Sequence, residues 1–201
     1  MLESDDELND LRKGAENGNA ESQYLLAVSC HMGETGVKDI EGAIKWYTRA
    51  AEQGHLQAQY NLAMIYFVGD DVPQEFKKTA KWLQRGAEQG EAASQNALAV
   101  LYFKGQGVVK NLEEAVKWWQ RAAENGNSSA QASIGAMHYD GKGVEKDIVK
   151  ALMWQYISIK NGSDDGGQNR DTIEKEATPK QIDEAKNLAD EWGRKYRNNS
   201  H

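Results

Sequence analysis

The chain has 201 residues, 39% of them apolar, a mean hydropathy of -0.78 and a net charge of -7 from 31 acidic and 24 basic side chains. No segment offers the roughly 20 consecutive apolar residues of a membrane helix, and the acidic balance is wrong for a surface that binds nucleic acid by neutralising phosphates. One cysteine, Cys30, and four scattered histidines supply neither an internal disulfide nor a cluster with metal-ligand spacing.

A fixed period organises the residues. Trp46, Trp82, Trp118 and Trp154 follow one another at intervals of 36. Two glycine series keep the same step: Gly18, Gly54, Gly90, Gly126 and Gly162, then Gly33, Gly69, Gly105 and Gly141. Ala15, Ala51, Ala87 and Ala123 open the units, and Gln23, Gln59, Gln95 and Gln131 come eight residues later. A period of this size marks a repeat array. In chain order, 5–17 is expected as a lone N-terminal capping helix, followed by four full repeats at 15–50, 51–86, 87–122 and 123–158. A degenerate partial repeat at 159–177 and a C-terminal capping helix at 178–196 complete a single repeat domain over 1–201.

Each unit holds two helices, A and B, because glycine takes the positive φ common just past a helix end. Helix A of the second unit is expected from Leu56 to Val68, stopped by Gly69. Helix B starts near Asp39, Glu75, Asn111 or Asp147, and Asn111 with Glu114 has the spacing of a capping box. Within helix B, Ala43, Ala115 and Ala151 precede the periodic tryptophan by three residues and share its face, so the tryptophans read as structural. Ser163 to Gly167 reads as a turn or short loop. Thr178, Pro179 and Gln181 then supply an N-cap, a first-turn proline and a third-position glutamine for the last helix, and Arg197 to His201 are expected to fray. The fold class is all-α: a right-handed α/α solenoid of 36-residue helix-turn-helix repeats with capping helices at its ends.

These units, reading Ala-Glu-x-Gly, Gln, Leu-Ala, Tyr, Gly-x-Gly-Val, Ala-x-x-Trp and Arg-Ala, resemble Sel-one-like repeats (SLR), which are related to the tetratricopeptide repeat. The resemblance covers about 15–162, and Thr178 to Trp192 is similar to a closing helix of that family. It implies a bacterial, non-enzymatic adaptor or scaffold that binds a partner protein. Gly33-Glu34-Thr35-Gly36-Val37 and Asp70-Asp71-Val72-Pro73 depart from the Gly-x-Gly-Val of Gly105 to Val108 and Gly141 to Val144. Cys30 and His138 take the place of Tyr66 and Tyr102. A secreted, disulfide-rich branch of the family associated with β-lactam binding has paired cysteines that this chain lacks. The acidic start lacks the basic and apolar stretches of a secretory signal, so the expected location is the cytoplasm, or the periplasm if a leader has been removed.

By analogy with the tetratricopeptide arrangement, the helix A stripe one residue beyond the shared core lines a concave groove. Tyr24, Tyr60, Met64, Phe67, Asn96, Phe103 and Tyr139 are therefore the candidate protein-binding residues, with the near-neutral middle repeats the first place to look. Phe67, Phe103 and Tyr139 fit packing between A helices equally well. The expected occupant is a protein or peptide, with no nucleic acid, no membrane insertion and no cofactor. No catalytic or metal-binding set emerges: the Gly-x-Gly loops lack the Walker spacing, the histidines sit at different repeat positions, and Asp70-Asp71 and Asp164-Asp165 read as solvated turns. An inhibitor or immunity protein acting on a bacterial toxin or effector is the alternative function. A cell-envelope hydrolase or β-lactam-binding protein would need a nucleophile and base that the spacing does not supply.

Overall fold

The computed structural model describes residues 5–34 and 37–197. Every described element is a helix, in repeating helix-turn-helix pairs of the all-α solenoid class. The chain forms two compact units. Unit 1 comprises residues 1–89 with 106–108 and contains α1 (Asp5–Glu16), α2 (Ala20–Met32), α3 (Ile40–Glu52), α4 (Leu56–Val68) and α5 (Phe76–Glu88). Unit 2 comprises 90–105 and 109–201 and contains α6 (Ala92–Lys104), α7 (Leu112–Glu124), α8 (Ser128–Asp140), α9 (Ile148–Lys160), α10 (Asp164–Glu174) and α11 (Pro179–Arg197).

The expected span of helix A in the second repeat is met by α4, which Gly69 closes at φ +78°. All helix A elements from α2 to α8 end this way, the glycine N–H donating to the carbonyl four residues back. The A-to-B loop is closed by a recurrent bond: the N–H of Asp39, Glu75, Asn111 and Asp147 donates to the carbonyl of Cys30, Tyr66, Tyr102 and His138. That bond revises the capping-box expectation. Asn111 accepts from Glu113 N and Glu114 N, but its own N–H is already used, so Glu114 pairs with Lys117 instead. The reciprocal box does form at Thr178 and Gln181, where each backbone N–H meets the other's side chain.

Ser163 to Gly167, expected as a turn, instead opens α10. Two features account for this. Asp164 and Asp165 in its first turn complement the positive helix start, and Gly166 lies where a Cβ would be 2.9 Å from Ser158 Oγ. A glycine that reads as flexibility permits close packing on α9. Ile173 of α10 joins Ala151, Leu152 and Ala185 in the core beneath α11. At the far end, α11 extends through Arg197, and the expected fraying of 198–201 falls outside the described residues.

Two periodic polar systems thread the buried faces. Gln23, Gln59 and Gln131 each donate Nε2 to the carbonyl eight residues earlier, at Ala15, Ala51 and Ala123. Thirty residues on, Gln53, Gln89, Asn125 and Asn161 donate in turn to Oε1 of Gln23, Gln59, Gln95 and Gln131. Burial makes these bonds necessary, since an unmet buried amide is costly. The tryptophans form the second system. Arg49, Arg85 and Arg121 lie over Trp46, Trp82 and Trp118 at 4.7–4.9 Å from the ring. In the last repeat that position is Ile157, and Trp154 instead packs edge-on against Trp192 of α11.

Candidate protein-binding surface

In unit 1 the helix A stripe borders a cleft of about 390 Å³ between α2, α3 and α4. Tyr24, Val28 and His31 reach it from α2, Met64 and Asn61 from α4, and Tyr47 forms its buried floor. These residues are held rather than loose. Tyr24 stacks on His55 at 4.5 Å and tilts against Tyr47 at 6.1 Å. Tyr47 Oη accepts from Asn61 Nδ2 at 3.4 Å, and its burial pushes the phenol up to about 12. His55, on which Tyr24 stacks, is itself fixed from two sides: Nδ1 accepts the Ala58 N–H as the cap of α4, and Nε2 contacts Glu21 Oε2 at 3.0 Å.

The lip carries the departure from Gly-x-Gly-Val. Asp71 is bound by Lys38 Nζ at 2.6 Å, with His31 Nε2 at 3.8 Å, so this acidic pair is more than a solvated turn. Beside it, Met32 and Val68 are 69% and 54% exposed. Of the seven sequence candidates, the cleft brings together Tyr24 and Met64. Tyr60 is half-buried in the same unit, and Phe67 packs edge-on against Phe76 of α5 at 5.9 Å. Sequence reasoning missed Tyr47, Asn61 and Met32. A signal was present for Tyr47: it follows the periodic Trp46, where the other repeats carry Leu83, Trp119 and Gln155.

Unit 2 uses its candidates differently. Asn96 Oδ1 accepts from Trp119 Nε1 at 3.1 Å, and Phe103 lies 5.5 Å from the same indole. Tyr139 donates its hydroxyl to Glu176 Oε1 at 2.6 Å while Lys146 covers its ring. A larger cleft, about 640 Å³, lies between α7, α9 and α11, lined by Asn125, Ile157, Trp192 and Tyr196 among others. His138 occupies the Tyr66/Tyr102 slot as a buried residue; desolvation lowers its pKa, and Nδ1 lacks a hydrogen-bond partner.

Burial also raises the Cys30 thiol pKa, reinforced by Asp39 and opposed by Arg12. A raised thiol pKa disfavours the nucleophilic thiolate. Among the described residues no group of three His, Cys, Asp or Glu side chains is placed to hold a metal ion, and no helix is long and apolar enough to cross a membrane. The geometry offers apolar and aromatic contact area with a charged lip.

Comparison with known families places the repeats. The Sel1 repeat profile matches 20–55, 56–91, 92–127 and 128–163, in the observed phase of the A helices. The chain belongs to the Sel1 repeat family. Among solved structures, a protective antigen present in uropathogenic Escherichia coli strains, displaying an SLR fold, is 40% identical with a TM-score of 0.84 over 94% of this chain. This chain spans 41% of that protein. A Sel1 repeat protein from Oxalobacter formigenes is 31% identical with a TM-score of 0.77, covering 82% of this chain and 68% of its own. Cysteine rich protein B of Helicobacter pylori, 24% identical with a TM-score of 0.53 over 66% of this chain and 97% of its own, shares the fold. No curated protein sequence matches. Sel1 repeat proteins are generally non-catalytic scaffolds for protein interactions.

Proposed function

We propose that this Sel1 repeat protein is a non-enzymatic adaptor that binds a partner protein on its helix A face, chiefly at the unit 1 cleft. The observation that carries this reading is the cleft's composition: a fixed aromatic floor at Tyr24 and Tyr47, apolar walls at Val28 and Met64, and an exposed apolar lip at Met32 and Val68. Contiguous apolar surface rimmed by polar groups is typical of interaction sites, and rigid aromatic anchors contribute most where partners meet.

Asn96, Phe103 and Tyr139 support the scaffold in this reading, because each already has a partner within unit 2. Affinity purification with mass spectrometry, comparing the parent chain with the Met32→Glu/Val68→Glu variant, tests the proposal. Both positions are exposed, so the variant should retain the parent's circular dichroism and lose a stoichiometric partner. A partner recovered equally with both proteins would remove the cleft from the function.

A further inference from the structure

We propose that the unit 1 cleft accepts a basic, amphipathic peptide segment, seating one large apolar side chain beside Met64 and Val68 and placing a neighbouring Lys or Arg against Asp70 and Asp71. This inference rests on the protein-binding reading above and adds the chemistry of the partner. Three independent features of the molecule converge on it.

The first is where apolar surface is left uncovered. Among the described residues, the exposed large hydrophobics are Leu25, Met32, Val37, Val68 and Val109, and all but Val109 belong to unit 1. Met32 and Val68 stand at the mouth of the cleft.

The second is a difference between repeats of the same chain. The second glycine of each intact Gly-x-Gly-Val loop lies against the start of the preceding helix B. A Cβ on Gly107 would fall 2.1 Å from the Phe76 carbonyl oxygen, and one on Gly143 would fall 2.5 Å from that of Leu112. Asp71 stands 36 residues before Gly107. A side chain there cannot sit as those glycines do, and Asp71 turns its carboxylate to Lys38 and His31 at the cleft. The repeat thus exchanges a tight backbone contact for a carboxylate at the lip.

The third is charge. Residues 1–89 contain 15 acidic and nine basic side chains, so unit 1 holds six of the chain's seven net negative charges. A basic segment is drawn to this field and an acidic one repelled. Lys38 does not bar an incoming cation, since its pair with Asp71 is partly solvent-exposed and such pairs contribute little.

Random dodecapeptides displayed on phage would be selected on the full chain, and the enriched peptides titrated into protein labelled at its methionine methyls. Met32 and Met64 report on the cleft, while Met137 and Met153 report on unit 2. The expected result is enrichment of sequences pairing Lys or Arg with Leu, Phe or Trp, with shifts at Met32 and Met64. Asp70→Lys should weaken such a peptide by about tenfold, Lys38→Ala should tighten it by freeing Asp71, and added salt should weaken it. Neutral or acidic peptides that shift Met32 and Met64 would overturn the basic partner and leave the protein-binding reading standing. Selection yielding no peptide that shifts these two methyls would overturn both.

Discussion

Gly143→Ala and Gly126→Ala make a matched pair within unit 2. Both glycines have positive φ, +69° and +86°, so alanine pays the left-handed backbone cost of about 1–2 kcal/mol at either site. Their surroundings differ. Nothing lies within 4 Å of a Cβ on Gly126, whereas one on Gly143 would be 2.5 Å from the Leu112 carbonyl oxygen and 2.9 Å from its Cβ. The atoms it meets are mainly backbone at the start of α7, which cannot swing away as a side chain tip would. Overpacking of that kind costs about 1–3 kcal/mol more. Gly126→Ala should therefore lose about 1–2 kcal/mol, and Gly143→Ala about 2–5 kcal/mol. Urea unfolding followed by circular dichroism reads the difference as a midpoint lower by roughly 0.5–1.5 M for Gly143→Ala, at unchanged slope. Equal midpoints for the two variants would refute the close-approach role of the second loop glycine.

Other substitutions probe the periodic systems. Gln59→Leu removes both the amide donor to the Ala51 carbonyl and the acceptor of Gln89 Nε2 and should cost about 1–3 kcal/mol in urea unfolding. Trp82→Ala, at a site only 5% exposed, should cost about 3–5 kcal/mol by the same assay. His138 has a folded pKa lowered by burial, so the unfolded chain takes up its proton more readily. Stability should therefore fall as pH drops below about 6.5, until the folded-state pKa is passed. His138→Tyr, which installs the residue found at 66 and 102, should flatten that part of the pH profile, as read from urea midpoints at about pH 7.5 and about pH 5.

The repeat was legible because its markers are obligatory. A helix closed by a left-handed residue calls for glycine, and a buried amide calls for fixed partners, so Gly69, Gly105, Gln59 and Gln131 advertise their roles at constant spacing. What escaped were features set by exceptions. Gly166 reads as flexibility until the approach of Ser158 shows it to be a contact. Asp71 reads as a solvated turn until its place is compared with Gly107 and the partnership with Lys38 is seen. Among the candidate residues, Tyr24 and Asn96 occupy the same repeat position, yet one borders a cleft and the other receives Trp119 Nε1. The deciding residue lies on the facing helix, Tyr47 in one case and Trp119 in the other. A single-helix stripe does not contain that information.

The glutamine ladder bears on how such proteins change length. Each rung reaches eight residues back or thirty residues forward, so the donors and acceptors of one repeat are satisfied within it or by an immediate neighbour. A duplicated or deleted block of 36 residues would leave the junction chemically complementary: the incoming glutamine finds the same carbonyl and the same amide. Repeat number is then free to drift without inventing a new interface.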